Sequence, residues 1–230
     1  MENKQFDDWL KLNGRTKNTR RLYNQRIKNF LINVNNINEE NINNYFLSLQ
    51  TKFTNKTINC YRDALSAYIK FLKLEIKPPC KLKETQKIPD AITIEEFEKQ
   101  IIPIVENNLP NPDKVKAIFY LLFYSGLRPS EIISLKRKDI DCDNHQGNVY
   151  RQKTDNYDTF FFPEKVSRLL KIYFLIEGEE INAFNIQIRS LNKLFEKIKK
   201  YFPNFNLRPY LFRHSAATRL LKEGFNLLDI

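Results

Sequence analysis

The stretch Phe123 to Lys136, FYSGLRPSEIISLK, constrains the fold more than any other part of the chain. Leading into it, Val115, Ile118, Phe119 and Leu122 recur at i, i+3, i+4 and i+7, which predicts a helix with one buried face. Gly126 takes a left-handed cap without steric cost, so that helix should stop there. Pro129 suits the first position of a second helix, and Glu131 then falls in its first turn, where the macrodipole favours a carboxylate. Arg128 is thereby fixed at the corner between two helices. A rigid guanidinium at a corner can clamp a phosphate, and it can equally be a buried arginine paired with Glu131, three residues on and on the same helical face. These residues alone leave both readings open.

Charge narrows the partners. The 230 residues carry 38 Lys and Arg against 27 Asp and Glu, a formal net charge of +11, so polyanions are expected. Ribosomal and membrane-surface proteins share such a balance. No apolar run is long enough to span a bilayer and the start, MENKQFDDWLK, lacks a signal-peptide pattern, so a cytoplasmic protein with no membrane partner is the expectation. Cys60, Cys80 and Cys142 are odd in number and far apart, and only His145 and His214 could join them. Such spacing argues against a disulfide framework or a metal site.

The amino-terminal part reads as four short helices. Phe6, Trp9 and Leu10 mark the first; Tyr23, Ile27, Phe30, Leu31 and Val34 line one face of the second. Asn38 caps a third that turns Ile42, Tyr45, Phe46 and Leu49 inward, and a fourth runs from about Asn55 to Leu72. Lys17, Arg20, Arg21 and Lys28 fall on the outer faces of the second helix, and Lys56, Asn59 and Arg62 on those of the fourth. Unopposed positive charge of this kind neutralises phosphates, although a solvated basic face has the same pattern. EIKPPCKLKETQKIP, Glu75 to Pro89, then lacks apolar periodicity and reads as a linker of about 50 Å if stretched at about 3.3 Å per residue. Thr93 with Glu96 forms a capping box and Ile92 with Phe97 a hydrophobic staple, so a new domain opens near Ala91. The division expected is residues 1–74, linker 75–90 and 91–230.

Beyond the opening stretch, Lys136, Arg137 and Lys138 should close the helix that Pro129 starts. Strand formers at Asn148 to Gln152 and Asp158 to Phe162, joined by KTDNY, predict a hairpin. Leu169, Leu170 and Tyr173, then Leu191, Leu194, Phe195 and Ile198, mark two further helices. In LRPYLFRHSAATRLLKEG, Leu207 to Gly224, the residues Tyr210, Arg213 and His214 share one helical face.

GLRPSEIISLKRKDID resembles the first catalytic box of the tyrosine recombinases, the integrase and Xer-like enzymes that cut and rejoin DNA, and the Leu207 stretch resembles their second. The resemblance covers nearly the whole chain in the family's order. It implies a mainly α fold with a small β-hairpin or sheet: an amino-terminal helical core-binding bundle, whose second and fourth helices face DNA, and a catalytic domain lacking its carboxyl-terminal segment. It implies Arg128 and Arg213 as the catalytic arginines, with Glu131 in support, and Lys153 at the hairpin tip as the general acid. Tyr210 stands where the family usually has histidine, and His214 is a weaker candidate for the missing imidazole. The implied partners are duplex DNA and further copies of the chain assembled on it, in the cytoplasm with the nucleoid, and the chemistry needs neither nucleotide cofactor nor metal. The family's nucleophilic tyrosine follows the second box by about two helices, and no tyrosine follows Tyr210 here. Residues 1–230 are therefore expected to bind DNA without forming the phosphotyrosyl intermediate unaided. A non-catalytic DNA-binding accessory protein or regulator on the same fold, and a basic helical scaffold or RNA-binding protein, stand as alternatives.

Overall fold

The computed structural model describes residues 2–84, 90–151, 155–178, 181–203 and 206–226. It divides into two compact units, Met1–Lys87 and Ile88–Ile230. In the first, helices α1 (Glu2–Leu12), α2 (Lys17–Asn33), α3 (Glu39–Gln50) and α4 (Asn55–Leu72) form a bundle. Thr16 and Asn38 begin α2 and α3 by accepting from the backbone N–H groups of Thr19 and Asn41, which otherwise lack helical partners. The apolar stripes meet at Phe6, Leu10, Ile27, Phe30, Ile42, Ile58 and Leu65, all buried. Phe6 meets the Tyr68 ring edge-on at 5.1 Å, tying the start of the chain to α4.

Much of the expected linker is not a free spacer. Arg62 Nε donates to the Pro79 carbonyl at 2.9 Å, and the Asn59 amide both donates to the Leu82 carbonyl and accepts from its N–H, each at 2.9 Å. Ile76 and Leu82 pack on the bundle core, so residues 76–84 lie along α4. The remainder, Thr85 to Pro89, lies outside the described residues.

In the second unit, the Thr93–Glu96 capping box opens α5 (Ile94–Glu96), which continues through a π-helical turn, Phe97–Ile101, into α6 (Ile102–Asn108). Then come α7 (Pro112–Ser125) and α8 (Pro129–Ser134), strands β1 (Ile140–Asp141), β2 (Gln146–Arg151) and β3 (Asn156–Phe161), and helices α9 (Glu164–Glu177), α10 (Ile188–Lys199) and α11 (Pro209–Lys222). The core is aromatic. Phe97 stacks on Phe123 at 4.1 Å, Phe119 on Phe195 at 4.5 Å, and Phe212 of α11 stands edge-on to Phe97, Phe119 and Phe123. The Ser215 hydroxyl accepts from the Ile92 N–H at 2.8 Å, which fixes the opening of the unit against α11.

Two local expectations need correction. The strands begin two residues earlier than the pattern predicts, and β1 extends the hairpin to a three-stranded antiparallel sheet ordered β1-β2-β3. Gly147 is required in β2, because a Cβ there would run into the Phe160 ring and lie 2.8 Å from the Asp139 carbonyl oxygen. Lys136, Arg137 and Lys138 do not close α8, which ends at Ser134. There the Ala183 N–H donates to the Leu135 carbonyl at 2.8 Å and the Arg137 N–H to the Ile181 carbonyl at 3.1 Å, so the backbone leaves the helix to pair with residues 181–183.

Candidate phosphate-binding site

Gly126 ends α7 in the left-handed region, φ 66°, and Arg128 begins α8 from extended backbone. The Glu131 carboxylate is buried, with a side chain 6% exposed, and accepts from both the Arg128 backbone N–H at 2.7 Å and its Nη1 at 2.6 Å. One acid therefore caps the helix and orients the guanidinium, which remains 29% exposed. The two open readings of Arg128 merge: it is paired with Glu131 and still reaches solvent.

Arg213 arrives from α11. Its Nη1 donates to the Gly126 carbonyl at 2.5 Å, two residues before Arg128, so the second arginine is tied to the corner that holds the first. The two helices can approach because residue 126 has no side chain: a Cβ would lie 3.2 Å from that of Ala216. Burial pushes the Arg213 pKa down, the like charge of Arg128 pushes it further, Glu131 opposes, and Arg151 adds to the depression. A guanidinium stays protonated under such pressure, so the like-charge cost persists until an anion arrives. Tyr210, 51% exposed at the start of α11, acts electrostatically on Arg213 as well. His214 is half-buried, one residue beyond Arg213. Lys153 lies outside the described residues.

Arg151 was not singled out by the sequence reading, although strand alternation carries the signal. Gly147 and Val149 are buried, which turns residue 151 to the same face. Arg151 lines an open cleft of about 580 Å³ together with Gly126, Leu127, Thr159, Phe161 and Arg213. A second polar cluster stands behind Gly126. The Glu98 carboxylate accepts from Lys165 at 2.5 Å, from Tyr124 at 2.9 Å and from Tyr120. Burial alone would raise its pKa, but these donors outweigh it and hold the carboxyl below its ordinary value. Arg219 lies over the Tyr124 ring at 5.0 Å and donates to the Tyr124 carbonyl at 3.1 Å, bracing the end of α7.

In the first unit, Lys17, Arg21, Lys28 and Lys56 are exposed on α2 and α4. Arg20 is ion-paired with Asp7 of α1 at 3.0 Å, and Arg62 is engaged by Pro79 and by Asp63 at 3.2 Å. Asn59 is not the free polar side chain the helical pattern predicts. It is 5% exposed and bonded to Leu82 and Glu84, because the chain after α4 folds back over it.

The model of the phage integrase family matches residues 93–230. The chain belongs to that family. Among its relatives, the tyrosine recombinase XerA of Saccharolobus solfataricus is 26% identical over 242 residues, covering 98% of this chain and 80% of the relative. XerA of Thermococcus kodakarensis is 26% identical over 241 residues, with 98% and 83% covered. Two solved structures share the fold. The Tn1549 transposon integrase in complex with transposon right end DNA gives a TM-score of 0.78 at 16% identity, over 97% of this chain and 87% of that one. A lambda integrase dimer bound to a COC′ core site gives 0.78 at 14% identity, over 96% and 89%. The fold expected from the recombinase boxes, mainly helical with a small antiparallel sheet, is the one observed. Among the described residues no helix is long and apolar enough to cross a membrane, and no group of three or more His, Cys, Asp or Glu is placed to hold a metal.

Proposed function

We propose that this integrase-family chain binds duplex DNA and holds one phosphodiester between Arg128 and Arg213, the geometry for strand cleavage and rejoining through a phosphotyrosyl intermediate. The observation that carries the reading is the hydrogen bond from Arg213 to Gly126, which brings a guanidinium from α11 to the Arg128 corner. In phosphoryl transfer, negative charge gathers on the non-bridging oxygens. Two fixed guanidiniums offer bidentate donors there, which lysines do not. A phenol is a poorer general base than an imidazole, and Tyr210 serves as a phosphate hydrogen-bond donor; His214 is the weaker choice for moving the nucleophile's proton. Lys153, which follows β2 in sequence, protonates the leaving 5′ oxygen. In the first unit, Lys17, Arg21, Lys28 and Lys56 neutralise backbone phosphates of the same duplex, and copies of the chain associate on it.

No tyrosine follows Tyr210 in these residues, so the test supplies the attacking hydroxyl separately. A nicked duplex, a recombinase segment carrying that tyrosine, and a denaturing gel test the reading. Covalent adducts should form only when the segment is present and should vanish with Arg128→Ala or Arg213→Ala; adducts that persist in either variant overturn it. The tyrosine at position 210 favours one other reading, a DNA-binding accessory protein that has lost the chemistry, in which duplex is bound and no adduct forms under any condition.

A further inference from the structure

Taking the two-arginine phosphate site above as given, we infer that Arg151 is a third guanidinium of that site, with Asp158 as the resident counter-ion that a DNA phosphate displaces. The backbone register supports it. Val149 pairs with Asp158 across the β2–β3 ladder, and directly opposed residues share a face, so Asp158 lies on the inward face with Val149 and Arg151. Arg151 Nε meets Asp158 Oδ2 at 2.8 Å, diagonally across the strands. Arg151 and Arg213 line one cleft, and the Arg151 charge is felt at Arg213.

Charge balance points the same way. Arg128 has Glu131 and Arg151 has Asp158, while Arg213 is held by the neutral carbonyl of Gly126. Among the described side chains, three guanidiniums stand against two carboxylates, so the cleft carries an excess of positive charge that an arriving phosphate meets. The two acids are not equivalent. Glu131 is buried and carries a helix cap, whereas the Asp158 side chain is 46% exposed and can turn to water at small cost. Arg151 can therefore exchange its partner, and Arg128 keeps its own.

The test is a titration of the full 230-residue chain, labelled with 15N, with inorganic phosphate, following the arginine Nε–H signals by NMR. Arg128, Arg151 and Arg213 should shift along one saturation curve. Arg151→Gln should weaken phosphate binding about tenfold, the value of one charge-assisted hydrogen bond. Asp158→Asn should strengthen it, by about threefold for a half-exposed competitor. Opposite signs for the two variants separate a counter-ion from a strut, since a pair that merely braces the hairpin would give losses in both. If Arg128 and Arg213 respond while Arg151 does not, or if Asp158→Asn weakens binding, the third guanidinium is refuted and the two-arginine site stands. If none responds, both fall.

Discussion

Gly126→Ala tests the corner on which the site is built. The residue sits at φ 66°, where an L side chain costs about 1–2 kcal/mol. The added methyl would also lie 3.2 Å from the Ala216 Cβ, and pushing α7 and α11 apart by a few tenths of an ångström adds about 1 kcal/mol. Against this, alanine restricts the unfolded chain and returns roughly 0.4–1 kcal/mol. The net loss is about 1–2.6 kcal/mol, or a fall in Tm of roughly 3–13 °C for a unit of this size. Urea unfolding monitored by circular dichroism measures it. Ala216→Gly in the same background removes the steric part and not the backbone part, so the double-mutant cycle should show a coupling of roughly 0.5–1 kcal/mol. Because the Gly126 carbonyl anchors Arg213, DNA affinity should fall along with stability. A Gly126→Ala protein as stable as the parent, or a cycle with no coupling, would refute the close approach of α7 and α11.

Other variants probe separate parts of the molecule. Glu98→Gln should cost about 2–3 kcal/mol at neutral pH by loosening the Lys165, Tyr120 and Tyr124 donors. The folded Glu98 carboxyl ionises more readily than the unfolded one, so its contribution is present above the ordinary glutamate pKa of about 4.3 and is lost as pH falls through the lower folded value. Equal destabilisation at neutral pH and in acid would contradict that. Asn59→Ala should destabilise the first unit by about 2 kcal/mol, seen as an earlier urea midpoint, because it strips partners from Leu82 and Glu84. Lys17→Gln and Lys56→Gln, on exposed positions, should leave stability within about 0.5 kcal/mol. Each should reduce the slope of log affinity against log salt by about 1 if it meets a phosphate, and an unchanged slope removes that residue from the interface.

The helices were legible wherever a stripe and a cap coincided. The inward face of α3 behind Asn38, the Thr93–Glu96 box and the Gly126 stop all follow from local chemistry, and the structure has each of them. Contacts made at long range were not legible. Asn59 lies where the α4 pattern leaves a free polar residue, yet a segment more than twenty residues on covers it. The exit from α8 depends on pairing with residues 181–183, and β1 is too short for periodicity to register. Within the proposed site, Arg128 and Arg213 are marked by their boxes, and Arg151 is not, because a strand arginine reads as a solvated charge until its neighbour Val149 is known to be buried. The anchoring of Arg213 by a backbone carbonyl has no sequence signature beyond the glycine that lets α11 come close.

A crystal structure of the protein grown with tungstate would address the two-arginine site most directly. One oxyanion should lie within hydrogen-bonding distance, about 3 Å, of both the Arg128 and Arg213 guanidiniums. Separate anions on the two side chains, or an anion bound elsewhere while both guanidiniums face water, would contradict a shared phosphate.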